Sequence, residues 1–141
     1  MEQQTNNSTN KILTGSADID KWLEGGYERG IITMFYGPSA TGKSNFMMLA
    51  ACHQARAKKI IFIDSEGSFS LDRINQLSNN NSEEILKNIA ILNPTSFDEQ
   101  NKAFEKIQKE LQSENIGLII VDSISMLYRL ALADARKEGQ E

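Results

Sequence analysis

Four short apolar runs alternate along the chain with longer segments of helical periodicity. The runs are rich in β-branched and aromatic residues, as strands are, and no hairpin signal stands between them. They cover residues 31–36, 59–64, 89–92 and 118–121. Buried strands that alternate with helices form a parallel sheet with helices on both faces. The sequence therefore predicts an α/β fold, whose ligands bind at the carboxyl ends of the strands.

Helices are expected between and after these strands. Apolar spacing and stop signals place them near residues 18–23, 44–57, 71–77, 81–88, 96–111 and 124–138. Asn81 with Glu84, and Ser96 with Glu99, have the spacing of a capping box. Trp22 is expected to be a packing anchor.

Length and charge restrict the class of protein. The 141 residues fit one domain, and the polar residues 1–10 predict a disordered lead-in to a domain over residues 11–141. A net charge of -4 argues against tight, autonomous binding of nucleic acid. The single cysteine, Cys52, and the lack of any long apolar run or signal peptide predict a cytoplasmic protein without a membrane partner.

A glycine-rich loop follows the first predicted strand and precedes a predicted helix. It reads Gly-Pro-Ser-Ala-Thr-Gly-Lys-Ser and has the spacing of a phosphate-binding loop. Glycines let backbone N–H groups turn towards an anion at a helix N-terminus, while the lysine adds a mobile positive charge. An ordinary glycine-rich turn is the alternative. The predicted nucleotide-binding residues here are Gly37, Pro38, Ser39, Ala40, Thr41, Gly42, Lys43, Ser44 and Asn45.

Asp122 ends the last apolar run and complements the loop. A carboxylate at that strand end would lie beside the loop, where it and the Ser44 hydroxyl could hold Mg²⁺ directly or through water. Many buried strands end in aspartate, so this residue supports a metal site only together with the loop.

Hydrolysis would also need a group that orients or deprotonates water. Ser123 follows Asp122, so the strand carries a single acid rather than a pair. Glu66 lies two residues beyond the predicted strand 59–64, and Gly67 allows a tight turn that could aim its carboxylate at the γ-phosphate. The alternative for Glu66 is a solvated loop residue.

Several stretches together resemble the RecA/RadA recombinase family, in which the sequence is most similar to the archaeal RadB-type branch. The resemblance extends over about residues 11–138 and is strongest at residues 14–30, 36–44, 63–69 and 118–129. It implies a RecA-like P-loop core that binds ATP and Mg²⁺. It also implies Glu66 as the water-orienting base beside Lys43, and Arg73 against the adenine, where a guanidinium plane can stack.

The same resemblance implies a role in DNA recombination and repair as an accessory factor. The implied partners are a RecA-family recombinase or further copies of the chain, with weak binding of single-stranded DNA. A nucleotide-dependent adaptor without turnover and a KaiC-like ATPase are the alternatives.

The chain stops about 19 residues after Asp122, whereas cores of this family continue through further strands. We therefore expect a truncated core with slow or absent hydrolysis. Its open sheet edge and the apolar residues in the segment 124–132 predict self-association or marginal stability.

Overall fold

The computed structural model describes residues 10–79, 81–112 and 115–139. The predicted lead-in lies outside the described residues except for Asn10. The strands are β1 (Lys11–Ile12), β2 (Tyr27–Glu28), β3 (Lys59–Asp64), β4 (Ile89–Leu92) and β5 (Ile116–Asp122). The helices are α1 (Ala17–Trp22), α2 (Lys43–Gln54), α3 (Leu71–Leu77), α4 (Ser82–Leu86), α5 (Phe97–Glu110) and α6 (Met126–Lys137).

Strand β3 is the centre of a three-stranded parallel sheet with the order β4-β3-β5. Its residues from Ile60 to Asp64 are all buried because β4 and β5 flank it and helices cover it. The register pairs Asp64 directly with Asp122 of β5. Two carboxylates therefore lie side by side at the carboxyl edge of the sheet.

The two faces of β3 belong to two apolar clusters, as the alternation of side chains along a strand requires. Ile60 and Phe62 pack with residues of α2, α3 and α4, whereas Ile61 and Ile63 pack with Ile107 of α5. Helices thus lie on both sides of the sheet, and the predicted α/β class is confirmed.

Residues 31–36 do not form the predicted strand. They pair with no strand of the described sheets, and every one of them is exposed, with Ile32 at 95%. An apolar, β-branched run becomes a strand only where a neighbour takes its backbone hydrogen bonds. The expectation of four parallel strands is therefore wrong for the described residues, which form three.

The N-terminal part of the domain contains a pair of strands that periodicity does not reveal. Strands β1 and β2 pair antiparallel, Ile12 opposite Tyr27, and two-residue strands are too short to show alternation. Trp22, at the end of α1, is 81% exposed, so the prediction of a packing anchor is wrong. Helix α1 has no buried residue, which leaves the indole without a core to enter.

The predicted capping boxes form only in part. The Ser96 hydroxyl accepts a hydrogen bond from the Glu99 backbone N–H at 3.2 Å and caps α5. Glu99 reaches the backbone N–H of Thr95 at 2.7 Å, one residue before the position that a capping box requires. That bond and the Thr95 hydroxyl lower the pKa of Glu99. Asn81 precedes α4 but makes no side-chain capping bond.

Helix α2 places Cys52 in the core, where burial raises the pKa of its thiol to about 11. Within residues 10–79, 81–112 and 115–139, no helix is both long enough and apolar enough to cross a lipid bilayer.

Candidate functional site

The glycine-rich loop leads directly into helix α2. Gly42 occupies the N-cap position with a φ of +92°, a conformation that favours glycine, and no side chain caps the helix there. The first N–H groups of a helix have no partner within it and carry the positive end of its dipole. A loop that ends in this way presents an anion site at the start of α2.

Lys43 folds back over the loop that precedes it. Its ammonium donates hydrogen bonds to the backbone carbonyls of Gly37, at 3.1 Å, and Pro38, at 2.7 Å. The Thr41 hydroxyl donates to the same Pro38 carbonyl at 2.9 Å. The lysine side chain thus bonds to the backbone of its own loop, and its positive charge lies over the residues predicted to bind phosphate.

Ser44 joins the loop to the sheet. Its hydroxyl donates a 2.6 Å hydrogen bond to Oδ2 of Asp122, which is only 4% exposed at the end of β5. The two residues are 78 positions apart, so the parallel fold brings them together. A serine hydroxyl beside a carboxylate is a set of hard oxygen ligands, and this donor set fits Mg²⁺.

The loop after β3 is fixed from within by Asp64. Its Oδ1 accepts the backbone N–H of Ser68 and its Oδ2 accepts that of Phe69, each at 2.9 Å. The hydroxyl of Ser68 donates to Oδ2 of Asp122 at 2.5 Å. The loop that carries Glu66 is therefore held against the same carboxylate as the glycine-rich loop.

A further serine ties this loop to the end of β5. Ser65 accepts a 2.9 Å hydrogen bond from the backbone N–H of Ser123 and donates a 2.8 Å bond to its carbonyl. Neither Ser65 nor Ser68 was predicted as a site residue. The Asp-Ser-Glu-Gly-Ser sequence indicates a turn, but their contacts with β5 depend on how the turn folds back.

Glu66 lies at the exposed tip of the loop. Its carboxylate makes no hydrogen bond or ion pair with any residue that the structure describes. The backbone on both sides of it is fixed through Ser65 and Ser68, whereas the side chain itself is left to solvent. The loop position agrees with the prediction, and the catalytic role remains a prediction.

Arg73 lies on α3 beside the start of α2. Its Nε donates to Oδ1 of Asn45 at 3.0 Å, and its Nη1 donates to Gln76 at 3.0 Å. These bonds hold the guanidinium at the edge of the loop region. Tyr36, in contrast, is exposed and lies outside any strand, so the predicted strand end at this position is absent.

The fold and the site together define a RecA-like α/β domain, with a glycine-rich loop before a helix and an acid at the end of a neighbouring strand. The Rad51 family model matches residues 5–138. The chain therefore belongs to the Rad51 family, and the predicted resemblance to RecA/RadA recombinases is confirmed.

Relatives of known description agree with this assignment. The DNA repair and recombination protein RadB of Methanococcus maripaludis is 47% identical over 122 residues, which are 86% of this chain and 55% of the relative. The protein of that name from Methanocaldococcus jannaschii is 44% identical over 114 residues, covering 79% and 52%.

A crystal structure of the RadB recombinase has the same fold, with a TM-score of 0.73 and 30% identity. The match covers 90% of this chain and 60% of that structure. The chain spans about half the length of the curated relatives that it matches.

Proposed function

We propose that this chain is the nucleotide-binding part of an accessory factor for DNA recombination and repair, and that it binds ATP with Mg²⁺. The observation that carries the proposal is the 2.6 Å bond between Ser44 and Asp122. It joins the glycine-rich loop to a strand-end carboxylate that could hold a phosphate-bound metal. The names of the relatives support the recombination role.

Each residue has a role that follows from its chemistry. The backbone of Gly37–Gly42 and the N-terminus of α2 bind phosphate, and Lys43 exchanges its carbonyl partners for phosphate oxygens. Ser44 and Asp122 hold the metal, which when bound neutralises charge between the phosphates. Arg73, held by Asn45, would stack on the base.

Hydrolysis in this proposal is slow. Glu66 is the group that would orient water, but no described residue fixes its carboxylate. Loosely held groups contribute little to a reaction that depends on positioning. A neighbouring subunit often completes such a site with a positive group. Assembly is therefore proposed to set the rate.

The proposed partners are a RecA-family recombinase or further copies of the chain, in the cytoplasm. Single-stranded DNA is proposed to bind weakly, because the net charge of -4 offers no field that would attract phosphate. A nucleotide-dependent adaptor without turnover is the second candidate, and the unattached carboxylate of Glu66 favours it.

Calorimetric titration with ATP tests the nucleotide site. Lys43→Ala removes the side-chain cation of the loop, and charged hydrogen bonds of about 1.5–3 kcal/mol predict a loss of affinity of roughly 10-fold to 100-fold. Lys102→Ala is the matched control, because its exposed ion pair with Asp98 lies on α5. Equal affinities of wild type and Lys43→Ala would overturn the assignment.

Two carboxylate variants separate the metal role from the hydrolytic role. Asp122→Asn is expected to weaken binding in Mg²⁺ more than in excess chelator, because it acts through the metal. Glu66→Gln keeps the shape and loses the proton acceptor, so affinity stays within a few-fold while phosphate release stops. Any turnover is measured with and without single-stranded DNA. Unchanged turnover in Glu66→Gln would show that another group orients the attacking water.

A further inference from the structure

We propose that Ser68 is a positioning residue that orients the Asp122 carboxylate for Mg²⁺. This inference rests on the proposed function, since it concerns the metal at the same site. The motifs that indicate a phosphate-binding loop do not include this serine. Its hydroxyl nevertheless donates a hydrogen bond to Asp122 at 2.5 Å, as the Ser44 hydroxyl does at 2.6 Å.

Both hydroxyls donate to the same oxygen, Oδ2 of Asp122. Two donors that arrive from different loops fix the rotation of a carboxylate more firmly than one donor can. The Ser44 hydroxyl donates a hydrogen bond to Asp122, and its oxygen lone pairs stay available for a cation. Ser68 supplies the second bond, so Asp122 stays turned towards Ser44 when the metal arrives.

The position of Ser68 is itself fixed by the core. Asp64, 3% exposed, accepts its backbone N–H at 2.9 Å, and the next residue, Phe69, packs edge to face on Phe62 at 5.1 Å. The hydroxyl also lies 3.3 Å from Oδ1 of Asp64. It has one proton, and the 2.5 Å contact with Asp122 is the better hydrogen bond. The fold itself therefore holds the hydroxyl on Asp122.

A purely structural role for Ser68 makes a different prediction. Asp64 and Asp122 are register partners on neighbouring strands, and a hydroxyl between them could serve only to stabilise two buried acids. Its removal would then lower the free energy of unfolding and leave the metal dependence of nucleotide binding unchanged. The two roles therefore separate in a Mg²⁺ titration.

The experiment measures binding of a fluorescent ATP analogue as a function of Mg²⁺ concentration. For Ser68→Ala we expect the half-saturating Mg²⁺ concentration to rise roughly 10-fold, as the loss of groups that orient metal ligands usually does. Ser68→Thr keeps the hydroxyl and is expected to restore the wild-type value within about 2-fold. Binding in excess chelator should be the same in all three proteins.

Ser96→Ala is the matched control, because it also deletes one serine hydroxyl. The hydroxyl of Ser96 accepts the backbone N–H of Glu99 at the start of α5 and makes no contact with Asp122. This variant should lower thermal stability without moving the Mg²⁺ midpoint. Ser68→Cys replaces the hydroxyl with a somewhat larger thiol, which is a weaker donor. If circular dichroism shows that Ser68→Ala does not fold, Ser68→Cys is used in its place to test the metal role of Ser68. The half-saturating Mg²⁺ concentration of Ser68→Cys should exceed that of the wild type.

A second comparison tests whether Ser68 acts through Asp122. In an Asp122→Asn background, Ser68→Ala should add no further shift, because the group that it orients has already changed. An additive shift, or a wild-type midpoint in Ser68→Ala, overturns the inference and leaves the nucleotide site intact. Failure of the wild type itself to show Mg²⁺-dependent binding overturns both proposals.

Discussion

Residues 59–64 and residues 31–36 are both rich in β-branched and aromatic residues, but the first segment is mostly buried and the second is exposed. The first reads Lys-Ile-Ile-Phe-Ile-Asp and the second Ile-Ile-Thr-Met-Phe-Tyr. Strand β3 is buried from Ile60 to its end, between two strands and two layers of helix, whereas the segment 31–36 is exposed throughout. The difference teaches that apolar, β-branched composition permits a strand, and that pairing with a neighbouring strand makes one.

The largest expected effect compares a phenylalanine from each region. Phe62→Ala removes a fully buried ring and should lower the free energy of unfolding by about 3–5 kcal/mol. Phe35→Ala removes a 39% exposed ring that stacks on Phe46 at 5.8 Å, for which about 1 kcal/mol is expected. Urea denaturation followed by circular dichroism measures both. Similar losses would show that residues 31–36 are packed in solution.

An intermediate effect compares two glycines that precede residue 31. Gly26 has a φ of +110°, and a Cβ there would lie 2.1 Å from the Ile12 carbonyl oxygen. Gly26→Ala should therefore reach the upper end of the roughly 1–3 kcal/mol that backbone strain costs. Gly30→Ala, with a φ of +76° and open space around it, should cost about 1 kcal/mol.

Urea denaturation also measures the loss in free energy of unfolding for these two glycine variants. A larger loss for Gly30→Ala than for Gly26→Ala would mean that the chain around Gly30 packs against something in solution. A larger loss for Gly26→Ala, as expected, places the tighter backbone contact at Gly26, against Ile12 of β1.

The smallest effect is expected at Ile32, the most exposed of the large apolar side chains in residues 31–36. Ile32→Ser should change the free energy of unfolding by less than about 0.5 kcal/mol, as surface substitutions usually do. Light scattering under the same conditions reports self-association. A loss above 1 kcal/mol that grows with protein concentration would instead assign the segment to an interface between copies.

Local patterns were sufficient to predict the centre of the fold. The predicted bounds of β3 and β4 coincide with those observed, because a short apolar run between polar residues leaves little choice of register. The structure starts β5 at Ile116, two residues before the predicted run 118–121. Residues 31–36 met the same criteria and failed, since the criteria describe a strand's own side chains and not its neighbours.

The residues of the site also divide into those that the sequence predicts and those that it does not. The loop motif and the strand-end rule together predict that Ser44 and Asp122 come close, and they form a hydrogen bond across 78 residues. Ser68 could not be predicted, because its contact depends on Asp64 drawing two backbone N–H groups of the loop inward. Side chains that belong to a motif can thus be recognised, whereas those placed by the packing of a turn cannot.

The closed arrangement of Lys43 also affects which anions the loop accepts. Two carbonyl oxygens, of Gly37 and Pro38, take two of the three N–H donors of the ammonium, so a ligand that uses all three has to compete with them. Chloride offers a single charged atom in place of two dipoles and gains little. In the proposed nucleotide site, a polyphosphate would bring several charged oxygens at once and outcompete the carbonyls. The self-contact of the lysine would then favour ligands of high charge density, whatever base they carry.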